Sequence, residues 1–138
     1  MMIALRTLAA TLAGLLAAFV LVVAVEVLSN AVHPYPEGFE NTPEAMHEHV
    51  KRIPPWVLAL AVLLWGATAL AATWIAGKFG NLVSFAIVGL LLVLGLVFNI
   101  SLLPYPMWFK IGTLLVIPAA IAAAGRLSMR HKTAPIGA

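Results

Sequence analysis

The chain has 138 residues, 63% of them hydrophobic and only 9% charged, with a formal net charge of +3. A soluble fold of this size leaves too much surface exposed to hide so many apolar side chains, so the composition points to a bilayer. Scattered cations form no dense patch that would track a phosphate backbone, which excludes nucleic acid as a partner. The absence of cysteine excludes disulfides, thiolate catalysis and cysteine-ligated metals.

The first apolar run predicts a spanning helix over about Ala4 to Leu28. Its apolar part is longer than the core of a cleaved leader, and Val25-Glu26-Val27-Leu28 offers no small-x-small cleavage site, so a retained helix is expected. Two small-residue stripes, Ala10-Gly14-Ala18 and Ala9-Ala13-Ala17, suit close helix packing in lipid. Glu26 stands near the polar end of this run. A carboxylate in a span is costly and often functional, but one near the interface also suits a structural pair.

Residues 29–54 form a polar segment. Pro34, Pro36 and Gly38 mark an ordered loop. Thr42-Pro43-Glu44 then reads as a helix start, with threonine as cap and proline in the first turn. A short interfacial helix is expected over 43–53, with Ala45, Met46, Val50 and Ile53 on its apolar face. His33, His47 and His49 accompany glutamates here. Their spacing lacks the i, i+4 pair of a metal-binding helix, so solvated histidines are expected and no metal or other cofactor.

The second span is predicted from Pro55 to Gly77, with Ala67-Ala71 and Ala72-Ala76 as packing pairs and Trp65 as a mid-span packing residue. After the Gly77-Lys78-Phe79-Gly80-Asn81 break, the third runs from Leu82 to Leu103 and carries Asn99, suited to a hydrogen bond between helices. Pro104-Tyr105-Pro106 turns the chain. The fourth span, Pro106 to Gly125, carries Lys110, the pair Ala119-Ala123 and an interior Pro118 that predicts a kink.

These elements give an all-α fold: one polytopic domain over 1–138, four transmembrane helices in one bundle. With the amino terminus inside, Arg6, Lys78, Arg126, Arg130 and Lys132 face the cytoplasm, against Lys51, Arg52 and Lys110 outside. The positive-inside rule then places both termini in the cytoplasm and the segment 29–54 outside. Glu26, Asn99 and Lys110 fall at similar depth near the external face, which predicts either a polar tie or a ligand site there.

The motifs Glu26-x-Leu28-Ser29, Pro34-x-Pro36-x-Gly38, Asn99-x-x-x-x-Pro104-x-Pro106-x-Trp108-Phe109 and Pro118-Ala119-Ala120 together resemble a family of small bacterial membrane proteins with four spans. The resemblance implies that fold and a bacterial inner membrane, and it implies no activity. No phosphate loop, nucleophile elbow or other catalytic motif is present. The sequence therefore favours a structural or accessory membrane protein over an enzyme. It would sit in membrane lipid and act through helix packing, with itself as a homo-oligomer or with a larger complex. The alternative is a small carrier or channel, homo-oligomeric, using Glu26 and Asn99.

Overall fold

The computed structural model describes residues 1–133, with side chains through Arg130; Lys132, counted above among the inside cations, lies outside those described side chains. Five helices follow in chain order: α1 Met2–Val32, α2 Pro43–Lys51, α3 Pro55–Phe79, α4 Leu82–Leu102 and α5 Met107–Thr133. Four of them (α1, α3, α4 and α5) are long and apolar enough to cross a membrane. The chain runs back and forth, so α2 and the α4–α5 turn share one end with the close of α1. The α3–α4 turn lies at the other end.

Helix boundaries follow their breakers. α1 continues four residues beyond Leu28 because nothing in Ser29-Asn30-Ala31 stops it. The stop is Pro34, which disfavours helical backbone at His33; His33 leaves the helix at φ −135° while its amide still bonds Ser29 O at 2.8 Å. α2 begins at the Thr42 cap, whose hydroxyl accepts from Ala45 N at 3.2 Å, and ends at Lys51. α5 does not end at Gly125. That glycine is buried under the Phe85 ring, where a Cβ would sit 3.0 Å from Phe85 Cζ, so it serves close packing rather than termination.

α3 touches α1, α4 and α5, and α4 also touches α1 and α5, whereas α1 and α5 do not meet. The four spans thus stand on a rhombus, with α3 and α4 across the short diagonal. Packing differs along its length. Towards the α3–α4 turn, Ala18, Ala72, Ala76 and Val88 form a core of small side chains from α1, α3 and α4. A Cβ on Gly14 would lie 2.9 Å from Ala72 O and 3.1 Å from Val88 Cγ2, so α1 lies almost on the α3 backbone there. Towards α2, the buried core is Leu58, Val62, Ala69, Leu96, Ile100, Phe109 and Ile117, all from α3, α4 and α5.

The packing faces are specific. Ala10, Gly14 and Ala18 are buried, whereas Ala9 and Ala13 face outward. On α3 the buried glycines and alanines are Gly66, Ala69, Ala72, Ala76 and Gly77; Ala67 is exposed and Ala71 half-buried. On α5, Ala124 is fully buried, Ala119 exposed and Ala123 half-buried. Neighbouring helical positions differ by about 100° in direction, so a stripe one or two residues out of register meets the outside instead of a partner. Hydroxyls in the spans turn back on their own helices: Thr68 bonds Leu64 O at 2.9 Å, Thr73 bonds Ala69 O at 2.7 Å and Thr113 bonds Phe109 O at 3.0 Å.

Candidate ligand site at the α2 end

Where α1 leaves the core, an open cavity of about 350 Å³ lies beneath α2. α1 brings Glu26, Ser29 and Asn30 to it, the loop brings His33 and Tyr35, and α2 brings His49 and Val50. Its floor is Val57, Leu58 and Trp65 of α3, with Asn99 of α4 and Tyr105 and Phe109 beyond. A second crevice of about 230 Å³ runs from there between α1 and α4, walled by Val22, Leu91, Leu92, Gly95 and Leu96. Glu26, Trp65 and Asn99 line both spaces.

The loop folds over this site as an aromatic cluster. His49 stacks on Tyr35 at 4.4 Å between ring centroids and lies 4.7 Å from His33, while Tyr35 meets Phe39 at 4.5 Å. Desolvation first, then the positive charges of His33 and Arg52, pushes the His49 pKa below its ordinary value. His47 points the other way on α2 and meets Leu102 O at 3.0 Å, one of the carbonyls left free at the end of α4. On the floor, Tyr105 packs on Phe109 at 4.5 Å and Trp65 lies edge-on to Phe109 at 5.6 Å. Burial, helped by the Glu26 carboxylate and by Tyr35, raises the Tyr105 pKa to about 12, so its hydroxyl stays protonated.

Two polar atoms in this region are buried without a hydrogen-bond partner, Asn99 Oδ1 and His33 Nε2. Such atoms are costly in a low-dielectric interior. The structure brings Glu26 and Asn99 to one site but leaves Lys110 out of it. Among the described residues the ion pair found is Glu48–Lys51 at 3.3 Å, and none joins Glu26 to Lys110. Similar depth is not enough: α1 and α5 occupy opposite corners of the rhombus, with α3 and α4 between them. No group of three or more His, Cys, Asp or Glu side chains is placed to hold a metal among the described residues. His33 and Tyr35 of the proline-bearing loop, Trp65 of α3 and Tyr105 of the α4–α5 turn were not legible as site residues, because they meet only on folding and no spacing encodes it.

Together the four apolar spans and their packing define a polytopic all-α membrane protein. Comparison of the chain with protein-family models, with curated proteins and with solved structures returns no match to any of them.

Proposed function

We propose that this protein is an accessory component of a bacterial inner membrane, acting through helix packing with itself or with a larger complex. The observation that supports this reading is the closure of the bundle half between Gly14 and the α3–α4 turn. There Gly14 lies against Ala72 O, Gly77 against Ser128, and the Gly80 turn against Ala10, leaving little width for a solute path. Both site cavities belong to the other half. A bundle open at one end and shut at the other binds or docks more readily than it conducts.

In this reading both termini and the α3–α4 turn face the cytoplasm, and α2 lies at the periplasmic interface. Single cysteines at Asn41 and Lys78, in a chain with no natural cysteine, should label from opposite sides of intact membrane. Labelling from one side overturns the topology. The packing role is tested by a cysteine at Ala13, on the outward face of α1. Oxidation in native membrane should link it into a defined dimer or complex, and a cysteine at Ala72, buried in the bundle, should not link. Proteoliposomes that move a solute or ion in proportion to protein content would replace this reading with the carrier alternative.

A further inference from the structure

We propose that the neck formed by Glu26, Trp65 and Asn99 binds the ammonium head of an amphiphile whose alkyl chain lies in the crevice between α1 and α4. The inference does not depend on the accessory role, since binding is measurable whatever the protein packs against.

Three observations carry it. First, Glu26 is the one carboxylate of the cavity and the crevice and the one titratable group of the crevice; no lysine or arginine lines either, and His33 and His49 line only the cavity. Among the described residues Glu26 has no ion-pair partner. Arg52 lies instead on the far side of His49, in a shallower space with Glu37, Glu40 and Glu48. Second, Asn99 Oδ1 is an acceptor buried without a donor. Glu26 and Asn99 together therefore ask for a group that is both cationic and rich in N–H, which describes a primary ammonium better than a hydroxyl or a metal aquo ion. Third, the neck joins a cavity of mixed polar and apolar lining to a nearly apolar crevice. On one side lie Ser29, Asn30 and His33; on the other the walls are Val22, Leu91, Leu92 and Leu96. Trp65 adds an aromatic ring of the kind that attracts cations.

The crevice is open because Gly95 carries no side chain there, with nothing within 4 Å of where its Cβ would be. Beside it, α1 has turned its last buried residue, Val25, inward and contributes nothing further to the core. An alkyl chain entering from the bilayer would cover apolar walls that now face each other across empty width. The head would sit at the level where lipid headgroups begin. Two sources share this chemistry: an aminophospholipid of the membrane and a free amphiphilic amine.

The test uses the full chain in nanodiscs of phosphatidylcholine, with radiolabelled dodecylammonium as probe and empty discs subtracted. Wild type should bind saturably with about one site per chain. Glu26→Gln should weaken binding by about tenfold or more, the usual consequence of removing one partner of a desolvated charge pair. Asn99→Leu should weaken it several-fold, Glu26→Asp should largely retain it, and Lys110→Met, outside the site, should leave it unchanged. Including phosphatidylethanolamine in the discs distinguishes the sources: competition identifies the membrane lipid, and undiminished binding identifies a free amine. Equal binding by wild type and a folded Glu26→Gln, or binding of dodecyl sulfate as tight as that of dodecylammonium, overturns the proposal. Should the glutamine variant fail to fold, loss of binding in a folded Glu26→Asp overturns it as well.

Discussion

The two ends of this bundle solve the same problem in opposite ways. At the α3–α4 turn, the side chains of Arg6, Thr7, Asn81 and Ser84 are all hydrogen-bonded within the protein. Asn81 Oδ1 caps α4 by accepting from Val83 N and Ser84 N, at 2.9 and 3.1 Å, and the Asn81 backbone amide donates to Ser84 Oγ in return. The Asn81 side chain also donates to Thr7 Oγ1 at 2.6 Å, and Arg6 Nε donates to Phe79 O at 2.8 Å, fastening α1 to the turn. At the α2 end, Asn99 Oδ1 and His33 Nε2 have no partner, and the core side chains are too few to fill the space beneath the loop. The lesson is that small residues and reciprocal caps seal a membrane bundle, whereas large residues on only three of four helices leave it ajar.

The steepest way to break this contrast is at Gly80. A Cβ there would collide with Ser84 Oγ and fall 2.6 Å from Ala10 Cβ and 2.7 Å from Ala76 O. Gly80→Ala should cost about 3 kcal/mol in denaturant unfolding in mild detergent, since backbone must move to admit it.

Gly14 and Gly95 sharpen it. Gly14→Ala should destabilise by about 2 kcal/mol through overpacking against Ala72 and Val88. Gly95→Ala, where the new methyl meets nothing within 4 Å, should stabilise by about 0.5–1 kcal/mol through helix propensity. Equal effects at the two glycines would erase the distinction between the ends.

The open end should show a pH response of its own. The folded Tyr105 pKa, near 12, lies above the ordinary value of 10 that applies when the chain unfolds. The associated stability is therefore complete below pH 10 and is lost as the pH rises from there through 12. That loss should be on the order of 1 kcal/mol, and absent in Tyr105→Phe. Difference absorbance of the phenolate, wild type against the variant, measures the titration directly. The smallest effect is expected for His47→Ala. It removes one exposed hydrogen bond to Leu102 O and should cost no more than about 0.5 kcal/mol, with α2 more open to amide exchange.

Much of the architecture was legible in the sequence because the bilayer imposes a length and a polarity that composition must obey. Pro55, Leu82 and the Thr42-Pro43 start lie where helices begin. The azimuth of each helix was not legible. Ala67-Ala71 and Ala72-Ala76 have the same spacing and composition, yet it is the second pair that is fully buried. For the same reason depth alone joined Glu26 with Lys110, although α1 and α5 never meet. Glu26 and Asn99 stood out as polar residues in apolar runs. Their shared neighbour Trp65 did not, because tryptophan in a span looks the same whether it fills a core or lines a cavity.

The unequal lengths of α1 and α4 have a consequence for the membrane itself. Thr7, more than a turn into α1, and Asn81, the cap of α4, are hydrogen-bonded, so these two positions are level. From there α1 runs to Val32 and α4 only to Leu102, a surplus of four residues or about 6 Å at a helical rise of ~1.5 Å per residue. Val32 is exposed within that overhang, and Val27 and Leu28 are exposed just below it. A thick bilayer covers them with α1 upright, whereas a thin one leaves them wet unless α1 leans. With its lower half clamped at Gly14, α1 can lean only by swinging its upper half, which is one wall of the crevice. Hydrophobic mismatch thus bears directly on the width of the gap beside Glu26, and acyl-chain length becomes a mechanical input to this protein.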